Sequence, residues 1–236
     1  MVPGFIDREL NLKRTIRDKT RHKIYLLFEG ENTEPLLINP IVSNNDYFKD
    51  ANIEFRPFTK TENDKGLSSP LALIKKAKNK ISELIRDKKF KSGYDKIIIF
   101  FDLDVFENNQ TEMDKLLKEK TNDIILCYTN PSIELFILLS INNSFEEIIQ
   151  PNESNILANN FVGKKRFILD LLIKKLKIDP KNHDANFSFI LENMKNIIYQ
   201  SRFLNTKLTL AANKLTCNIP YILEKLHDNK FDDIEY

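Results

Sequence analysis

The stretch "DKIIIFFDLDVFENN", residues 95–109, decides the fold. An uninterrupted apolar run from Ile97 to Phe101 leads straight into Asp102 and Asp104, separated only by Leu103. A short apolar run bounded by polar residues reads as a strand buried on both faces, and such strands belong to parallel sheets covered by helices. Residues i and i+2 of a strand share a face about 7 Å apart, at two rises of roughly 3.3 Å. Two carboxylates so placed repel each other. A divalent cation converts that repulsion into binding, because hard oxygen donors suit Mg²⁺ or Mn²⁺. Ligands of open α/β sheets collect at the carboxyl ends of the strands, and the acidic pair lies at such an end.

Outward from that strand, strands and helices alternate. "KIYLLF" (23–28) reads as a buried strand ending at Glu29-Gly30, where glycine allows close backbone approach. "TEPLLINPIV" follows as a short helix, capped by Asn32 or Thr33 with Pro35 in its first turn. "ANIEFRPF" reads as a second strand near a sheet edge. Ser69-Pro70 opens a helix whose Leu71, Ile74, Ile81, Leu84 and Ile85 recur at helical spacing. After the acidic strand come a helix over 111–120, a strand "DIILCYT" and a helix "NPSIELFILLS" starting at Asn130-Pro131. Beyond about residue 141 the strands stop. "KKRFILDLLIKKLKI", "NFSFILENMKNIIYQS", "RFLNTKLTLAANKL" and "IPYILEKLHDNK" all read as helices. The expected fold class is α/β: a mostly parallel four-stranded sheet flanked by helices, with an α-helical C-terminal extension. The expected organisation is a basic arm over 1–22, an α/β core over 23–141 and an extension over 142–236 packed on that core.

Composition narrows the function classes. With 42% hydrophobic and 30% charged residues in 236, the chain is globular and soluble in type. Its formal net charge of +2 says little about partners, so local clustering has to carry that question. Only five glycines occur, at 4, 30, 66, 93 and 163, too few and too scattered for a dinucleotide fingerprint or a P-loop. Cys127 and Cys217 make no disulfide framework and read as reduced thiols of a cytoplasmic protein. No signal peptide or bilayer-spanning run is visible. His22, His183 and His227 lack zinc-ligand spacing and read as structural or surface residues.

Three further acids join the pair. Glu29 ends the first strand, Glu34 follows close behind, and Glu134 sits in the first turn of an apolar helix. A helix N-terminus favours an acid for electrostatic reasons alone, so structural and functional readings of Glu134 stand even. Basic residues cluster twice. "LKRTIRDKTRHK" holds Arg14, Arg17 and Arg21 among its bases against the single acid Asp18, and "VGKKRF" holds Lys164, Lys165 and Arg166 at the expected start of a helix. Both clusters suit phosphate binding as well as plain solvation, and a lysine such as Lys165 would stabilise charge developing on a phosphate.

At these residues the chain resembles RloB-like proteins. "IYLLFEGENTEP" is similar to their EGxxTE opening, "YDKIIIFFDLD" to their DxD strand, and "TNPSIELFILL" to their NPxxE-plus-apolar-helix signature. "LTCNIPYILEKL" resembles their NPxT-type C-terminal helix more loosely, Ile219-Pro220 departing from it. RloB-like domains belong to the Toprim-like group, with OLD-family nucleases, topoisomerases and bacterial primases as relatives. The resemblance implies a Toprim-like core in which Glu29, Asp102 and Asp104 hold one or two Mg²⁺ (or Mn²⁺) ions. Glu34 would be a further ligand or water-positioning acid, although "EGENTE" is one residue longer than the OLD-type element. Val105-Phe106-Glu107 follows the pair, so a topoisomerase-like DxDxD is absent.

The implied activity is that of a metal-dependent endonuclease, a hydrolase of phosphodiester bonds in RNA (tRNA included) or DNA. Glu34 or Glu134 would orient or deprotonate the attacking water. The implied setting is bacterial anti-phage defence of the abortive-infection type, beside an AAA/ABC-type ATPase partner. Two alternatives stay open: a non-catalytic subunit that binds nucleic acid or the ATPase, and phosphoryl or nucleotidyl transfer on a small nucleotide. A homo-oligomer is compatible with the sequence; a membrane partner is not expected.

Overall fold

A computed structural model describes residues 21–43, 46–58, 69–103, 110–182 and 185–236. In chain order, β1 (His22–Phe28), α1 (Thr33–Ser43), β2 (Ile53–Pro57), α2 (Pro70–Arg86), β3 (Lys96–Asp102), α3 (Gln110–Glu119) and β4 (Ile124–Asn130) form the expected alternation. Ser69 starts α2 as predicted, its Oγ accepting from Ala72 N at 3.2 Å, with Pro70 in the first helical position. β1 pairs in parallel with β2 on one side and β3 on the other, and β3 pairs in parallel with β4.

Side-chain alternation along the strands explains why both faces must be covered. Ile24, Leu26 and Phe28 of β1 join Ile98 and Phe100 of β3 in one apolar cluster, which α1 covers with Leu37, Ile38 and Ile41. Tyr25, Leu27, Ile97, Ile99 and Phe101 face the other way, where α2 supplies Leu73, Ile74 and Ala77 and α3 supplies Met113 and Leu116. Helices α1 and α2 thus lie on opposite faces, as a continuously apolar strand requires.

The sheet has five strands in the order β2-β1-β3-β4-β7, one more than the sequence suggests. After α4 (Glu134–Leu138) come a π-helical turn at Phe145–Ile149, α5 (Glu153–Ala158), a hairpin of β5 (Phe161–Val162) and β6 (Lys165–Arg166), α6 (Phe167–Leu176), α7 (Ser188–Glu192) and α8 (Met194–Ser201). Then β7 (Thr216–Cys217) returns to pair antiparallel with β4, Cys217 opposite Thr129, and α9 (Ile219–His227) follows. Strands therefore do not end at residue 141.

Other boundaries also move. Asn130 is still strand, so the helix expected from Asn130-Pro131 begins only at Glu134 and runs five residues. The expected helix over "RFLNTKLTLAANKL" is a bridge at Asn205 and a 3₁₀ turn, Leu208–Asn213, because Asn205 Oδ1 takes the Lys207 N–H at 3.2 Å and diverts the backbone. Lys164, Lys165 and Arg166 lie in the β5–β6 hairpin, not in a helical turn; Gly163, at φ 63°, makes that reversal and α6 starts after it. Ile168 and Leu172 of α6, Ile197 of α8 and Leu223 of α9 pack into the same cluster as α1.

Candidate carboxylate centre

The strand order places a topological switch point between β1 and β3: the chain leaves β1 through α1 towards β2, and leaves β3 through α3 towards β4. Helices α1 and α3 lie on opposite faces of the sheet, and the carboxyl edge at such a switch point is the usual ligand position of open α/β sheets. Glu29 directly follows β1 and Asp102 ends β3 at that edge. Glu29 N donates to Phe100 O at 2.9 Å, and Glu29 Oε2 accepts from Asp102 N at 3.0 Å. The Glu29 carboxylate thereby reaches the backbone of Asp102, 73 residues on in sequence.

Each remaining described acid is aimed by a donor of its own. Asp102 Oδ1 accepts from the Thr129 hydroxyl of β4 at 2.6 Å. Glu34, in the first turn of α1, accepts from Gly30 N at 3.0 Å. That approach needs glycine, since a Cβ at residue 30 would fall inside the Glu34 carboxyl group. Glu134, in the first turn of α4, accepts from Ser132 Oγ at 2.6 Å. Glu34 and Glu134 are 8% and 7% exposed, so both carboxyls are held largely out of bulk water.

Glu34, Asp102 and Glu134 line a single cleft of about 160 Å³, and Arg166 and Lys181 are the basic residues of its wall. Lys165 is not among the lining residues; its Nζ pairs with Asp179 Oδ2 at 2.9 Å. Burial would raise the Asp179 carboxyl, but the hydrogen bonds from Lys165 and from Lys181 N, with their charges, hold it below its ordinary range. Alternating side chains along β6 explain the exchange: neighbours 165 and 166 point apart, and the arginine takes the cleft. Lys164 is exposed in the hairpin turn. Arg21 is exposed just before β1, at the amino edge of the sheet, opposite the cleft. Asp104, Arg14 and Arg17 lie outside the described residues. Among the described residues, no group of three or more His, Cys, Asp or Glu side chains is arranged to hold a metal ion.

Both cysteines are buried. Burial pushes the Cys217 thiol up to about 12, with the Asp102 charge adding to it, and holds Cys127 well above the ordinary thiol range. Neither supplies a thiolate nucleophile at neutral pH. His22 stacks on Tyr94 and His227 pairs with Asp228 at 3.0 Å, structural and surface roles respectively; His183 lies outside the described residues. Thr129, Ser132 and Lys181 were not singled out in the sequence. Thr129 and Ser132 are small polar residues beside apolar runs, and Lys181 is one lysine among many in a loop; only the fold brings them to the acids.

Residues 24–226 match the family described as RloB-like protein. No curated protein and no solved structure matches the chain significantly.

Proposed function

Because the chain belongs to the RloB-like protein family, we propose that it is a divalent-metal-dependent nuclease that hydrolyses phosphodiester bonds in RNA, tRNA included, or in DNA. The observation that carries this reading is the cleft shared by the carboxylates of Glu34, Asp102 and Glu134 at the switch point, with the Glu29 carboxylate hydrogen-bonded to the backbone N–H of Asp102. The donor set fits the group: all the acids offer hard carboxylate oxygens, which suit Mg²⁺ or Mn²⁺ over softer metals. Glu29, Asp102 and Glu34 would hold it, together with Asp104, which lies outside the described residues. A bound divalent ion supplies charge neutralisation at a phosphate and a lowered pKa for water. The chain's own residues do the rest. Thr129 and Gly30 N fix the aim of Asp102 and Glu34. Arg166 and Lys181 offset phosphate charge that the acids would otherwise repel. Glu134 or Glu34 takes the proton from the attacking water.

A role as an effector of bacterial anti-phage defence, beside an ATPase partner, accompanies this reading through the family resemblance. The glycine-poor sequence has no phosphate loop of its own, which agrees with ATP hydrolysis residing in a separate protein. One observation favours a second reading, a non-catalytic subunit binding nucleic acid or the ATPase: the described acids alone form no three-ligand group. Incubation with plasmid, single-stranded DNA, total RNA and tRNA separates the two. Cleavage that needs Mg²⁺ or Mn²⁺ and disappears in Asp102→Asn and Glu29→Gln is expected. Cleavage undiminished in excess chelator sinks the metal mechanism, and tight binding without any turnover favours the second reading.

A further inference from the structure

The β5–β6 hairpin carries a feature that the carboxylate chemistry does not use. Phe161 is 64% exposed and its neighbour Val162 is 44% exposed, an adjacent apolar pair standing in solvent. The ribbon is held by the pairs Phe161↔Arg166 and Val162↔Lys165. The Arg166 guanidinium lies over the Phe161 ring, 4.3 Å from its centroid, while Nη1 donates to Asn159 O at 3.3 Å. Arg166 also lines the acidic cleft. One side chain therefore ties an exposed ring to the wall of the candidate site.

Charge says what kind of occupant suits that ring. The hairpin contributes Lys164 and Arg166, with Lys165 paired to Asp179 at its base, and Lys181 stands on the adjoining wall. A polyanion that brings a phosphate to the cleft meets these bases first. A ring with a guanidinium on one face and solvent around the rest is a platform for a flat π-system. A base inside a duplex has both faces occupied by its neighbours, whereas an unpaired base presents a face to such a platform.

We propose that Phe161, backed by Arg166, is a nucleobase-stacking platform that receives an unpaired nucleotide of a single-stranded polynucleotide lying across the cleft. The proposal deepens the nuclease reading by naming an unpaired strand as its substrate class, and it rests on that reading for the role of the cleft. The stacking itself is open to measurement without any turnover.

The chain contains no tryptophan, so Phe161→Trp introduces a single indole at the platform. In excess chelator, single-stranded oligo(dT) or oligo(U) is expected to quench its fluorescence saturably. Heparin, a polyanion without bases, is expected to leave it unquenched, and the matching duplex to quench it weakly. In a binding assay Phe161→Ala is expected to weaken the single strand about ten-fold or more, with Phe161→Tyr close to the parent. No quenching by the oligonucleotides, or equal quenching by heparin, overturns the proposal and assigns the apolar pair to a protein contact. Quenching without cleavage leaves the platform standing and removes the nuclease reading. Metal-dependent cleavage without quenching does the reverse.

Discussion

Thr129 is 1% exposed and gives its hydroxyl to Asp102 Oδ1 at 2.6 Å. A carboxylate at the end of a strand has two free torsions, and a donor from the next strand removes much of that freedom before any ligand arrives. Outer supports of this kind set how well a carboxylate serves a metal, and their loss typically lowers metal affinity or activity about 10- to 100-fold. Thr129→Val keeps the shape and deletes the donor, so a fall of that order in Mn²⁺ affinity is expected, while Thr129→Ser stays near the parent. Thermal unfolding should shift little, since a single hydrogen bond contributes about 1 kcal/mol net. A valine variant that titrates with Mn²⁺ like the parent removes Asp102 from the metal site. At this scale the positions of the acids were legible because Glu29 and Asp102 close apolar strands and Glu34 and Glu134 fall in the first turns of helices. Thr129 and Lys181 carried no comparable signal, since their roles depend on which strand or loop folds beside the acid.

Among the elements, β7 shows what a sequence pattern leaves out. Two residues form the strand, far too few for periodicity, and its place is set by a buried amide. Asn218 Oδ1 accepts from Tyr128 N at 2.7 Å, its Nδ2 donates to Leu126 O at 2.9 Å, and its own N–H reaches Tyr128 O at 3.2 Å. The side chain thus continues the ladder of β4 beyond the point where backbone pairing stops. Asn218→Ala would leave a buried N–H and a buried carbonyl without partners, at about 1–3 kcal/mol each. A loss of about 2–4 kcal/mol in urea unfolding is expected. A loss below about 0.5 kcal/mol would mean that water or backbone adjustment replaces the amide. The long elements β1, β3, β4 and α2 were readable because burial on two faces or one stripe writes a long pattern into the chain. The β5–β6 hairpin and the 3₁₀ turn were not, since local side-chain bonds and tertiary packing outweigh helical spacing there.

Across the whole molecule, one apolar cluster runs from Ile24 of β1 through Cys127 of β4 and Cys217 of β7 to Phe231, joining residues before and after 141. The two thiols lie at the seam where β7 is laid against β4, so their protonation acts on the fold as a unit. An ordinary thiol near 9.0 ionises in the unfolded chain, whereas folded Cys217 holds its proton to about 12 and Cys127 lies well above the ordinary value. Above pH 9 the unfolded state therefore binds fewer protons than the native state, and stability falls as pH rises. The contribution is complete below about pH 9 and disappears on the way to about 12. Buried Tyr128 and Tyr236, raised from 10.0 chiefly by burial, add the same sign at higher pH. Lys120, lowered by burial and by the charge of Lys96, acts in the opposite sense. A difference measurement isolates the thiol. Unfolding free energy followed from pH 8 to 10.5 should decline more steeply in the parent than in Cys217→Ala, the gap in slope approaching about 1.4 kcal/mol per pH unit. Far-UV and aromatic signals should report one coincident transition throughout, because the cluster gives the C-terminal helices no core separate from the sheet. Equal slopes in the two proteins would place Cys217 in contact with solvent, and two separated transitions would mean that the segment after residue 141 unfolds independently of the sheet.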